Sequence, residues 1–498
     1  MDALRDGDFR ALRDTLSSAN MEGAARCAVR LHATLPEPRH LDRNVVMVAY
    51  GGGKDSSYTV AFVRLVQLIL YRIHGATFTL RPVTNRHAGM PRAVMENVDR
   101  AYHALGIHED PQCEPLLVDG DRVLPFRLDE PLHPDVVARN RLDLLMTGHL
   151  THAEARPTFC NACNLSMVNA FGVAASHGQG VDVIITGDSP REQRAYYLWV
   201  NRLARRFGDR DKRPADASFG GFLRTTDDIA RAYFTDIYGD DADDLVAERR
   251  VAHDVPDRLR FFSIYDDTAY SASEHWRLLA DHLGFQFDEI AFSFTESDCG
   301  NPTLMAHLRG LRQERLYGRG YDEGLQEYVR FATSLMARKE FPPALIETMR
   351  ARYAGAGAAE RMRAIANAFA REAYGLDEEQ LVCMVYSPLP AEGSDLERYL
   401  SREQPQLAER IHDVHALLAA AGEPAGDAAE LAGDLERVSG LPLARLRTLY
   451  QSPRRTLRAT GRPADLMSAV LAGDPHKDVI ETRHAPDGPV VRELLSGR

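Results

Sequence analysis

Seven consecutive residues, Gly51, Gly52, Gly53, Lys54, Asp55, Ser56 and Ser57, combine the groups that a polyphosphate needs. Glycines let backbone N–H groups approach an anion because no Cβ stands in the way. Lys54 adds a cation, the Ser56 and Ser57 hydroxyls can contact phosphate oxygens, and Asp55 can hold a divalent cation or orient the loop. Residues 45–49 (VVMVA) read as a buried strand and 59–71 (TVAFVRLVQLILY) as an apolar helix, so the glycines fall at a strand-to-helix junction. Such a junction aims N–H groups and about half a positive charge at a ligand. The spacing excludes both G-x-x-x-x-G-K-[ST] and G-x-G-x-x-G. The bland alternative is a glycine-rich turn in an unrelated α/β protein.

Cysteine supplies a second chemistry. Cys160 and Cys163 form a C-x-x-C pair in TFCNACNLSM, just before an expected helix, and Cys299 lies in ESDCGNPTLMAHLR at the start of another. By itself a C-x-x-C fits zinc, a redox dithiol or two buried thiols. Six cysteines in 498 residues are too few for a disulfide scaffold. Cys27, Cys113 and Cys383 sit in apolar or helical settings and are expected in the core.

The elements that must position these groups alternate. After the first strand and helix come a strand at 77–83, a helix at 91–105 and a strand at 114–118. A helical stretch at 142–152 precedes the cysteine pair, and the strand in VDVIITGD ends in Thr186, Gly187 and Asp188. Residues 202–255 turn polar and read as an insertion. LRFFSI at 259–264 returns to strand character, followed by a helix at 272–283 and a strand-like segment at 285–294. This rhythm means an α/β fold with a parallel sheet, whose ligands bind beyond the carboxyl ends of the strands. Residues 1–42 read as an N-terminal helical segment, 43–310 as the nucleotide-binding domain and 311–498 as a mostly helical region. A Pro486-Asp487-Gly488 turn near the end of the chain suggests a hairpin.

The loop GGGKDS resembles the S-G-G-x-D-S loop of the PP-loop ATP pyrophosphatases, the HUP-like adenine nucleotide alpha hydrolase type. The resemblance covers roughly residues 44–310. It implies ATP and Mg²⁺ as ligands, with phosphates on Gly51 to Ser57, adenine near Val83, and Thr186 and Gly187 beside the nucleotide. It also implies adenylation of a substrate carbonyl or amide oxygen with release of pyrophosphate, and makes Lys54, Asp55 and Asp188 the candidate catalytic residues. Gly51 stands where that family usually has Ser, and Asp188 where it usually has His. His149 in MTGH mimics the family's T-G-H tripeptide but precedes the cysteine pair, and VDVIITGD fits that place better. The cysteines are similar to those of the iron-sulfur branch, the tRNA 2-thiocytidine and 2-thiouridine synthetase type. That resemblance implies a 4Fe-4S cluster on Cys160, Cys163 and Cys299 with one open iron, and sulfur transfer to the adenylated substrate. Zinc closed by His307 is the alternative.

Composition bounds the partners. A net charge of −12 argues against non-specific nucleic-acid binding and favours a small-molecule or carrier acceptor over tRNA. The cluster Arg202, Arg205, Arg206, Arg210, Lys212 and Arg213 could guide RNA but reads more readily as a solvated helix face, and Arg454, Arg455, Arg458 and Arg462 have no aromatic interleaving to support base stacking. A sulfur-donor protein and self-association are both compatible with the sequence. With no long uncharged apolar run and no signal-peptide core, a cytoplasmic location away from membranes is expected. Two other functions stay open: an ATP-dependent amide or amidine ligase with structural cysteines, and a non-catalytic nucleotide-binding protein.

Overall fold

The computed structural model describes residues 2–497 apart from 187–189, 208–217, 241, 270–274, 276, 287–301, 339–340, 342, 459–462 and 475–476. The side chains of 155, 157, 159–163, 186, 190 and 192 are likewise outside the description. The chain starts with two helices, α1 (Asp2–Thr15) and α2 (Ser18–Thr34), and then builds a sheet. Strand β1 (Val45–Ala49) pairs in parallel with β2 (Thr79–Asn85), Val45 beside Thr79 and Ala49 beside Val83. On its other edge β1 pairs in parallel with β5 (Val183–Thr186), and β5 with β6 (Arg260–Ser263). Beyond β2 lie β3 (Leu116–Asp119), also parallel, and β4 (Arg122–Pro125), antiparallel. Gly120 turns the β3–β4 hairpin with φ of +69°, a conformation free of cost to glycine alone.

The strand order is β4-β3-β2-β1-β5-β6. From β1 the chain first steps outward to β3, then returns to the other side of β1 as β5. The order therefore reverses at β1, the place where open parallel sheets leave a crevice beyond their carboxyl ends.

Parallel strands are covered on both faces, which is why β1 is apolar throughout and β5 up to its last residue, Thr186. Val46, Val48, Leu80, Leu117, Val183 and Ile185 face one core with α3 (Lys54–His74), α4 (Arg92–Ala104) and the two N-terminal helices. Their alternating neighbours Val45, Met47, Val83, Leu116, Val118 and Ile184 face a second core. That side is filled by α5 (Pro134–Leu150), α6 (Ala155–Ser176), α8 (Phe219–Tyr238) and helices from 302 onward. Helix α7 (Pro190–Phe207) links β5 to α8.

Buried ion pairs tie α1 to the sheet. Arg64 of α3 lies 2.9 Å from Asp8 and 2.9 Å from Asp110, and Arg5 lies 2.6 Å from Asp110. Burial alone would push the Asp110 carboxyl up, but the two guanidiniums and the Gln112 N–H hold it down at about 2. A second network fixes the start of α6. Glu154 at its N-cap pairs with Arg312 at 2.9 Å, while Arg309 joins Glu327 at 2.7 Å and Glu493 at 3.1 Å. Glu493 belongs to the terminal hairpin β7 (Lys477–Arg483) and β8 (Val490–Ser496), which the Pro486-Asp487-Gly488 turn anticipates.

Several expectations shift. The cysteine pair lies inside α6 rather than ahead of a helix, and α5 begins at Pro134, eight residues before the expected stretch. Within the expected insertion, α8 sends Phe219, Leu223, Ile229, Tyr233 and Phe234 into the core. Strand β4 has no counterpart in the sequence reading. Of the helix expected at 272–283, the described residues His275, Arg277 and Leu278–His282 are helical, the last stretch as a π-helical turn, and most of 285–294 lies outside the description. No helix among the described residues is long and apolar enough to cross a membrane.

Candidate functional site

The glycine loop follows β1 directly, at the strand-order reversal. Tyr50 N–H donates to Val83 O at 2.8 Å and Thr84 Oγ1 donates to Tyr50 O at 2.8 Å, so the entry to the loop is pinned to β2. Gly52 has φ of +75°, and a Cβ there would stand 2.8 Å from Val94 Cγ1 and 3.0 Å from Val98 Cγ2 of α4. The second glycine is thus demanded by packing from below as well as by any ligand from above. Gly53 caps α3 without a side-chain hydrogen bond, and the first helical bond is Ser57 N–H to Gly53 O at 2.9 Å. The first-turn N–H groups of such a helix have no intrahelical acceptor.

Around this turn the side chains divide by role. Asp55 is 68% exposed, and its Oδ1 lies 3.4 Å from Lys54 Nζ. That ammonium also sits 5.7 Å from the ring centre of Phe341, a residue of the helical half. Ser56 Oγ donates to Gly53 O at 3.1 Å, tightening the turn. Ser57 is buried, its hydroxyl 3.1 Å from Tyr50 Oη, and it braces the loop from within. Burial pushes the Tyr50 phenol up, so it stays protonated. Val83, expected beside adenine, turns its side chain into the core while its carbonyl is taken by Tyr50; it offers a ligand neither group.

Thr186 ends β5, the strand beside β1, with Ile185 in register with Val48. Neighbouring strands lie about 4.8 Å apart, so the backbone of Thr186 leaves the sheet next to the glycine loop. Gly187 and Asp188 lie outside the described residues.

Helix α6 brings the cysteine pair to the same edge of the sheet. Asn85 Nδ2 at the end of β2 donates to Ser166 Oγ at 3.3 Å, and Asn169 Nδ2 donates to Gly120 O at 3.2 Å after β3. The backbone of Cys160 and Cys163 continues α6 from there toward its N-terminus, about one to two turns further on. Cys299 lies outside the description, so the three-thiol set is not assembled on described residues. His307 is placed differently from the zinc alternative. Its Nδ1 is 2.8 Å from Tyr321 Oη and its Nε2 3.1 Å from Asn367 Oδ1, so both ring nitrogens are engaged in a fully buried helix. Burial holds this imidazole neutral, down at about 4. His149 is a core histidine in the last turn of α5, pushed down to about 3 by burial.

A cavity of about 90 Å³ opens beyond β2 and β3, between α5, α6 and α8. Arg86, Arg139, Asp143, Thr147, Ser166 and Arg249 line it. Arg86 is paired with Asp119 at 2.5 Å, and Arg249 Nε donates to Asp143 at 2.6 Å. Arg139 forms no ion pair within 4 Å among the described residues but acts on Asp143 from further off, and its Nε is buried without a hydrogen bond. Sequence reading missed these groups, although an Arg-His pair directly after the second strand marks the carboxyl edge. Cys27 and Cys383 are buried and Cys113 half-buried, as core residues would be. Arg454 and Arg455 are not a free basic face: they pair with Asp395 at 2.7 Å and Asp465 at 3.2 Å.

The site is therefore an uncapped, glycine-lined helix start with one lysine and one exposed carboxylate, flanked by a helix carrying two cysteines and by an arginine-lined cavity. No protein-family model matches the chain, and no curated protein or solved structure matches it.

Proposed function

We propose that this chain is a PP-loop ATP pyrophosphatase that adenylates an acceptor oxygen and then lets a sulfur nucleophile displace AMP. The observation that carries the reading is the Gly51–Gly52–Gly53–Lys54–Asp55 turn at the carboxyl end of β1, where the strand order reverses. Its N–H groups and Lys54 would receive the phosphates, and Asp55, with Asp188, would hold Mg²⁺, which neutralises their charge when bound. The acceptor oxygen attacks the α-phosphorus, the bond to the β-phosphate breaks, and pyrophosphate leaves. A nucleophile then attacks the activated carbon and the C–O bond to AMP breaks. The cavity beyond β2 and β3, on the same edge of the sheet as the loop, would seat a small acceptor, with Arg139 facing an anionic group on it.

Two cysteines at i, i+3 on α6, on the edge that carries the loop, fit a thiolate-held centre in residue type and place. Cys160, Cys163 and Cys299 would hold a 4Fe-4S cluster, which when bound supplies the sulfur chemistry. The test is ATP-dependent pyrophosphate release, with iron and acid-labile sulfide measured on anaerobically purified protein. Release together with about four irons per chain supports the full reading. Release without iron leaves the amide or amidine ligase, and no release in any condition removes the enzyme reading.

A further inference from the structure

We propose that Asp99, His103 and His108 form a zinc site at the amino edge of the sheet, oriented by Glu109 and separate from the nucleotide chemistry. Asp99 and His103 lie at i, i+4 near the end of α4 and therefore share one face. The chain then turns through Gly106, φ +61°, with Ile107 N–H donating to Tyr102 O at 2.8 Å, and this turn carries His108 back over the helix. One carboxylate oxygen of Asp99 lies 3.0 Å from His108 Nε2 and the other 3.8 Å from His103 Nε2. One ligand atom from each of the three residues lies within 4.8 Å of the others. Tetrahedral zinc with bonds of about 2.0–2.1 Å needs ligand atoms about 3.3 Å apart, a value these separations bracket.

Two further features favour a metal over a simple hydrogen-bonded surface cluster. The other ring nitrogen of His103, Nδ1, lies 3.5 Å from Glu109 Oε1. Metal-bound imidazoles are characteristically steadied by a carboxylate on their second nitrogen in this way. The His108 ring is also held in place, edge-on to Tyr102 with centres 5.5 Å apart and 5.8 Å from Phe126. His103 is 60% exposed, so the fourth position faces solvent and suits water. Imidazole suits zinc, which also accepts a carboxylate oxygen as ligand.

The site has a structural consequence. It straddles α4 and the segment that runs on to Asp110, the carboxylate that receives both Arg5 and Arg64. A bound ion would stiffen that segment and so the docking of α1.

Zinc binding to the metal-stripped full chain tests this, monitored by metal content, thermal melting and the spectrum with Co²⁺ as probe. The expected results are one zinc retained by wild type and by Cys160→Ala, a higher melting temperature with zinc, and a Co²⁺ spectrum without thiolate charge transfer from this site in Cys160→Ala. The His103→Gln, His108→Gln double variant should lose that zinc and its thermal shift. Glu109→Gln should bind about 10-fold more weakly. Because His103 and Glu109 are exposed, their single substitutions report even if the double variant folds poorly. Equal zinc affinity in wild type and His103→Gln, or no zinc retained by wild type and Cys160→Ala, would overturn the site without touching the ATP reading.

Discussion

At the amino edge of the sheet, polar groups are sunk and matched: Arg64, Arg5 and Asp110 are buried together, Asn44 Nδ2 donates to the carbonyls of Glu37, His40 and Leu41, and Asp182 accepts from Val45 N–H at 2.8 Å. At the carboxyl edge, alongside the buried Arg86–Asp119 and Arg249–Asp143 pairs, a helix starts without a side-chain cap, Asp55 stands in solvent with Lys54 3.4 Å away, and Arg139 lines a cavity with its buried Nε unbonded. Matched buried charge belongs to holding a fold together, because removing either partner strands the other. Backbone donors and side chains left only partly satisfied at one place cost stability, and such places are candidates for a ligand that completes them.

The contrast can be broken most severely at Arg64. Arg64→Met should strand Asp8 and leave Asp110 to Arg5 alone, at a cost of about 3–5 kcal/mol in urea unfolding. A loss under 1 kcal/mol would mean that the amino edge does not anchor the fold. The same edge predicts an acid dependence. The Asp110 carboxyl is held down at about 2, below its unfolded value, so its contribution is complete above about pH 4 and fades as pH falls from about 4 toward 2. Unfolding curves of wild type and Asp110→Asn should converge across that window.

Asp55→Asn makes the opposite case. Stability should stay within about 0.5 kcal/mol, since the side chain is exposed, while pyrophosphate release falls about 100-fold or more. Wild-type turnover in this variant would remove Asp55 from the chemistry. Gly52→Ala lies between the two regions in character. A Cβ at φ +75° and 2.8 Å from Val94 should cost about 1–2 kcal/mol and weaken ATP binding together, read by melting and by nucleotide titration. Ser57→Ala should have the smallest effect, about 1 kcal/mol of stability from its lost contact to Tyr50, with little change in nucleotide affinity.

The parallel strands and the loop were legible because each is a local pattern. Apolar runs such as VVMVA, punctuated by glycine, record burial on both faces of a sheet. What stayed hidden was tertiary. Helix α8 reads as polar because Gly220, Gly221 and the acidic stretch after it mask Phe219, Leu223, Tyr233 and Phe234, and its cap is the single side chain of Ser218, bonded to Gly221 N–H at 3.0 Å. TFCNACNLSM shows no helical periodicity, so the sequence places the cysteine pair ahead of a helix that in fact runs across it. Val83 carries the side chain of a ligand wall but the register of a core position, and a one-residue step decides between them. Arg64 and Asp110 are 46 residues apart, a pairing no local window reveals.

The seat of Gly52 on Val94 and Val98 has one more consequence. A phosphate loop hanging free would have to be ordered by its ligand, and the entropy of that ordering would be subtracted from affinity. Here the turn rests on a helix from α4 that was packed when the chain folded, so its conformational freedom is already gone before any nucleotide arrives. On the proposed reading, binding would discriminate by fit to a fixed cradle, and a substitution that shortens Val94 or Val98 would weaken nucleotide binding from a position outside the loop.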